Sequence, residues 1–133
     1  MRLRAGAALS VSTHRSHTSI TEIVMSYAAQ HLAQEPTRAE VDALPGWTLL
    51  EFGTPWCPHC IGAQPLIEQA LLARPEVRHI KVEDGAGKPL GRSYRIKLWP
   101  SLVLLRDGQE MGRVVRPTNQ ATLDGLWSPA PQA

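Results

Sequence analysis

The chain has 133 residues, 43% of them hydrophobic and 20% charged, enough for one globular domain that buries a core without cross-links. The net charge of +2 is too small to call for nucleic acid. Arg2, Arg4 and Arg15 precede the first acid, Glu22, so the remainder carries about −1. No apolar run approaches the roughly 18 residues that a membrane helix needs.

Residues 1–18 read as a disordered N-terminal tail, rich in Ser, Thr and Arg without periodicity. "AGAALSV" is too slight for a secretory h-region, although the acid-free start weakly resembles an organelle transit peptide. A cytoplasmic location is therefore expected, with the periplasm as the alternative. A single domain is expected over 19–128, followed by a tail at 129–133. Ser19 to Glu22 forms a capping box, and Ile20, Ile23, Val24, Tyr27 and His31/Leu32 follow at helical spacing, which predicts a helix ending before Pro36. A second capping box, Thr37 to Glu40, opens a short helix closed by Pro45-Gly46.

"WTLLEF" at 47–52 is apolar and too short for a helix, so it predicts a buried central strand with Glu51 inside it. A helix follows from about 58 to 73, with Pro65 expected to kink it. "VRHIKV" at 77–82 predicts another strand, and a loop with a short helix comes next. "SLVLLR", Asp107-Gly108 and "QEMGRVVR" form a hairpin signal, and Thr118 is expected to cap a last helix carrying Leu123, Leu126 and Trp127. This order implies an α/β fold: a central mixed sheet flanked by helices on both faces.

Both cysteines lie in "EFGTPWCPHC", separated by Pro58 and His59. Two are too few for a disulfide framework, and a bridge between them would close too short a loop to constrain the unfolded chain. Pro58 suits the first helical position, which leaves Cys57 at or near the N-cap, where free N–H groups and the helix dipole favour a thiolate. Cys60, one turn deeper, lies within disulfide reach. The asymmetry suggests a nucleophilic Cys57 and a resolving Cys60. A protonated His59 would stabilise the Cys57 thiolate further, and the bland alternative for His59 is a solvated imidazole. A zinc site lacks a second ligand pair, and the residue after Cys60 is Ile61, not the histidine of a haem attachment motif. No metal or other cofactor beyond the Cys57–Cys60 couple is expected.

Across residues 47–127 the chain resembles the thioredoxin family. "LLEFGTPWCPHC" is similar to its central strand running into Trp-Cys-x-x-Cys, and Pro65 falls where its active-site helix carries a proline. "YRIKLWPSLVLLRDGQE" is similar to the segment that holds its cis-proline, which would be Pro100. The resemblance implies a thioredoxin-like fold and a protein disulfide oxidoreductase. Pro100 would face the thiols, and the backbone before it would pair with substrate peptide. Glu51 takes the place of the family's buried acid. Burial should raise its pKa and fit it to accept the Cys60 proton, unless it faces outward at the sheet edge. His79 and Lys81 share one face of the next strand and are possible basic neighbours.

Departures from the family are specific. Pro58-His59 resembles the dipeptide of periplasmic disulfide-introducing oxidases, not the Gly-Pro of reducing thioredoxins. Trp99 is bulkier than the usual residue before the cis-proline, Arg116 stands where a glycine is usual, and Gly53 replaces an aromatic. Trp56, Trp99, Pro100 and Arg116 are therefore the substrate-groove candidates, while Trp47 and Trp127 are expected to pack. The partners implied are protein disulfides or dithiols and an upstream reductase or dithiol donor, with the chain acting as a monomer. A reductive cytoplasmic role is favoured. The alternatives are an oxidising exchange protein, a thioredoxin-fold interaction module without turnover, and a metal carrier completed by a second molecule.

Overall fold

The computed structural model describes residues 27–127. The tails expected at 1–18 and 129–133, the capping box at 19–22 and the first part of the predicted N-terminal helix lie outside these residues. Chain order is α1 (Arg38–Asp42), β1 (Trp47–Gly53), α2 (Pro58–Leu72), β2 (Arg78–Glu83), α3 (Pro89–Ser93), β3 (Ser101–Arg106), β4 (Gln109–Val115) and α4 (Gln120–Trp127). The sheet runs β2-β1-β3-β4. β1 pairs parallel with β2 and antiparallel with β3, and β3 pairs antiparallel with β4.

Strand periodicity divides the apolar residues between two cores. Leu49 of β1 and Leu102 and Leu104 of β3 meet Ala63, Ile67 and Leu71 of α2 and Leu123 and Leu126 of α4. On the other face Leu50 and Phe52, with Ile80 and Val82 of β2, pack against Val41, Leu90 and Tyr94. A strand buried on both faces needs no polar alternation, which is why β1 reads as a mostly apolar run with Thr48 and Glu51 as its polar members. The same parity turns Glu51 towards α2 and puts His79 and Lys81 on its side of the sheet, opposite Leu49 and Glu51 in register. Trp47 and Trp127 pack at the edge of the first core, as expected of them.

Local chemistry fixes the joints. Thr37 Oγ1 accepts from the Glu40 N–H while Glu40 Oε1 accepts from the Thr37 N–H, the reciprocal pair that the motif implied. The hairpin turns through Asp107 (φ 50°) and Gly108 (φ 82°), and Asp107 Oδ1 also accepts from the Gly46 N–H at 2.7 Å. Pro65 sits inside α2, which continues to Leu72. Its missing N–H leaves the Ile61 carbonyl without an intrahelical donor, at a residue exposed enough for water to replace it.

Two expectations fail. Residues 27–36 are not helical. The segment lies along β2: the Leu32 N–H donates to the Lys81 carbonyl at 2.8 Å, and the Ala28 N–H to His79 Nδ1 at 2.8 Å. Tyr27 packs on one core and Leu32 on the other, so one helix face could not have served both. The last helix is capped by Asn119 rather than Thr118, with Asn119 Oδ1 accepting from the Thr122 N–H at 2.9 Å.

Candidate active site

Cys57 is the N-cap of α2, in extended conformation (φ −76°, ψ 123°), and its Sγ accepts from the Cys60 N–H at 3.3 Å. Both cysteines are free thiols and nearly buried, at 5% and 3% exposed. Burial pushes the Cys57 thiol up, but hydrogen bonds from the Cys60 thiol and from the Cys60 and His59 N–H groups, with the charge of Arg116, bring it below its ordinary value. Burial, the neighbouring Cys57 sulfur and the Glu51 charge push Cys60 up to about 12, against a backbone hydrogen bond from Thr54. Residue 59 thus acts on Cys57 through its main chain. Its imidazole is exposed, and the side-chain charge that reaches the sulfur is that of Arg116.

Beneath the thiols, Glu51 is 1% exposed, so the outward-facing alternative is wrong. Its Oε1 meets His79 Nε2 at 2.9 Å and its Oε2 accepts from Gln64 Nε2 at 2.8 Å. Because His79 Nδ1 already accepts from the Ala28 N–H, the ring proton sits on Nε2 and points at Glu51. Gln64 also donates to the Cys60 carbonyl at 2.8 Å and accepts from Lys81 Nζ at 2.9 Å. The expected rise in the Glu51 pKa is corrected here. Burial does push it up, but the hydrogen bonds from His79 and the Gln64 amide, with the charge of Lys81, outweigh burial and hold the carboxyl below its ordinary value.

The outer wall is aromatic. The Trp99–Pro100 peptide bond is cis. Trp99 Nε1 donates to Asp84 Oδ2 at 2.8 Å, and the Trp99 ring meets Trp56 edge-on at 5.9 Å between centroids. Trp56 is 67% exposed. Arg116 joins this wall from the end of β4: its N–H donates to the Pro100 carbonyl at 2.9 Å and its Nε to the Trp99 carbonyl at 2.8 Å. Its φ of 52° is a left-handed conformation that suits glycine better. Gly53 is explained by contact: a Cβ there would lie 2.5 Å from Cys60 Sγ.

The structure therefore brings Cys57, Cys60, Glu51, Trp56, Trp99, Pro100 and Arg116 to one end of the sheet, with His59 on the rim. Sequence reasoning missed Gln64, Thr54 and Asp84. Gln64 carried a signal, since it lies four residues after Cys60 and so on the same helix face; Asp84 carried none.

Two adjacent free thiols of such unequal acidity define a dithiol suited to exchange with disulfides. The family model described as Thioredoxin matches residues 28–126, and the chain belongs to the thioredoxin family. The mitochondrial thioredoxin-3 of Saccharomyces cerevisiae is 24% identical over 126 residues, covering 95% of this chain and 92% of that one. Protein disulfide-isomerase A3 of Gallus gallus is 35% identical over 85 residues, covering 63% of this chain but 16% of that longer protein. Among solved structures, thioredoxin 2 of Pseudomonas aeruginosa PAO1 in its reduced form aligns with a TM-score of 0.69 and 50% identity, over 77% of this chain and 94% of that one. The protein is a thiol–disulfide oxidoreductase, of a family that acts on protein disulfides with reductase partners and uses no cofactor beyond its dithiol. Among the described residues, no helix is long and apolar enough to cross a membrane.

Proposed function

We propose that the protein reduces disulfides in other proteins, in the cytoplasm, with Cys57 as nucleophile and Cys60 as resolving thiol. The observation that carries this reading is the unequal pair: Cys57 held below its ordinary value at a helix N-cap, Cys60 pushed up to about 12 one turn below. The Cys57 thiolate attacks one sulfur of the substrate disulfide. A mixed disulfide forms, and the first substrate sulfur leaves as a thiolate that takes a proton from water. Cys60 then gives up its proton and attacks Cys57 Sγ. The Cys57–Cys60 disulfide forms, and the second substrate sulfur leaves and is protonated. Two electrons pass to the substrate.

Glu51 is the acceptor we assign to the Cys60 proton, directly or through water. Held ionised by His79 and Gln64, it has lone pairs available at rest; its lowered pKa makes it a weak base that holds the proton only transiently before solvent takes it. Trp56, Trp99 and Pro100 form the wall against which substrate backbone docks, Arg116 adds positive charge beside it, and the imidazole of His59 lies on the rim. Reductive direction is favoured because the resting thiolate is held only by N–H groups and one guanidinium, while the Glu51 anion opposes further negative charge beside the pair. The test is a Cys60→Ser variant incubated with a disulfide-bonded protein such as insulin. It should accumulate a mixed disulfide through Cys57 and lose turnover. A Cys60→Ser protein that turns over like the parent would overturn the assignment.

A further inference from the structure

Beside the thiols lies a pocket of about 260 Å³ that neither exchange step occupies. It opens from Pro58 and His59 at the start of α2, has Ala63 and Leu66 as its apolar side, and is closed by Arg116 and Pro117 beyond β4. Two basic side chains line it and no acidic one does. Arg116 is braced there. Its Nε is committed to the Trp99 carbonyl and its backbone N–H to the Pro100 carbonyl, whereas neither Nη1 nor Nη2 has a hydrogen-bond partner among the described residues. A guanidinium fixed at Nε presents its two terminal nitrogens as a preset fork, the geometry that a carboxylate fills with two parallel hydrogen bonds. The residue also holds a left-handed backbone, φ 52°, a conformation strained for any residue but glycine. Strain kept beside a reacting group points to a use for the side chain that causes it.

We propose that this pocket binds a carboxylate carried by the protein substrate next to its reacting cysteine, so that the enzyme selects disulfides flanked by aspartate or glutamate. The inference rests on the exchange reaction assigned to Cys57 and adds the substrate class. The pocket begins at the residue after Cys57, so with about 3.3 Å of extended chain per residue the acidic side chain lies within about two or three positions of the target cysteine. The carboxylate pairs with Nη1 and Nη2 while its methylene stem lies along Leu66 and Pro117.

The test uses three short peptides alike except for Glu, Gln or Lys two residues from a single cysteine, each joined as a mixed disulfide to thionitrobenzoate. The second-order rate of thionitrobenzoate release by the reduced protein is divided by the rate with mercaptoethanol, which removes intrinsic reactivity. The wild type should prefer Glu over Lys by about fivefold or more at low salt, with Gln between, and the preference should shrink as ionic strength rises. In Arg116→Gly, which suits the positive φ, the ratio should fall to about one; Arg116→Glu should invert it, and Arg116→Lys should keep part of it. Equal rates for the three peptides with the wild type, or a Glu preference that survives in Arg116→Gly, would overturn the carboxylate pocket and leave the exchange reaction standing. No release from any peptide would overturn both.

Discussion

The acidity difference between the two thiols makes a quantitative prediction about which one reacts. With Cys60 at about 12, its thiolate fraction at pH 8 is about 10⁻⁴. Cys57 lies below the ordinary value of 9.0, so its fraction at the same pH exceeds about one tenth, a thousandfold advantage. Part of this is lost because a less basic thiolate is a weaker nucleophile. With a Brønsted coefficient of about 0.4–0.5, each unit by which Cys57 lies below Cys60 takes back a factor of about 2.5–3. A net preference on the order of tenfold or more for Cys57 remains. As residues the two cysteines are alike in exposure, at 5% and 3%. The assay is limiting iodoacetamide on the reduced wild-type protein at pH 8, with the labelled cysteine located by tandem mass spectrometry. Label on Cys57 in great excess is expected, with a rate that follows one ionisation below 9. Equal labelling, or label on Cys60 first, would refute the assignment of nucleophile and resolving thiol.

Other parts of the structure make further predictions. The Glu51 carboxyl titrates lower in the folded protein than its ordinary 4.5, so its stabilising effect is complete above about pH 4.5 and is lost as pH falls through the folded value. Glu51→Gln should accordingly flatten the acid limb of a stability-against-pH curve from denaturant melts, and an unchanged limb would contradict the network. His79→Ala removes the partner of a buried charge and should cost about 3 kcal/mol or more in urea unfolding, against less than 1 kcal/mol for an exposed pair such as Arg38–Asp42. Gly108→Ala should cost about 2 kcal/mol or more, because φ is 82° and a Cβ would overlap the Asp42 carbonyl, whereas an alanine at Gly62 meets nothing and should be tolerated. Asp84→Ala frees the Trp99 indole N–H and should raise KM for protein disulfides and alter tryptophan fluorescence, with kcat less affected.

The sheet and the thiol pair were legible because their signals are local. β1 and β3 are mostly apolar runs too short for helices, Asp107-Gly108 is a turn with two positive φ angles, and Cys57 followed by Pro58 marks a helix start. What failed depended on distant partners. Residues 20–32 carry apolar residues at helical spacing, yet β2 offers the end of this segment hydrogen bonds, and Tyr27 and Leu32 enter opposite cores. The Glu51 shift was misjudged in sign because burial alone could be read from a central strand, whereas Gln64 and His79 come to it from 13 and 28 residues away. Arg116 could be placed beside the site, but its bond to the Trp99 carbonyl could not be seen before the hairpin was folded.

The most direct test of the central claim is the equilibrium reduction potential of the Cys57–Cys60 couple, by titrating the purified protein against glutathione redox buffers. The account predicts one reversible two-electron transition, lost in Cys57→Ser, that lies nearer the thioredoxin value of about −270 mV than the strong-oxidant value of about −120 mV. A transition near the oxidant end would contradict the reductive role, and a protein with no titratable disulfide would contradict the exchange chemistry itself.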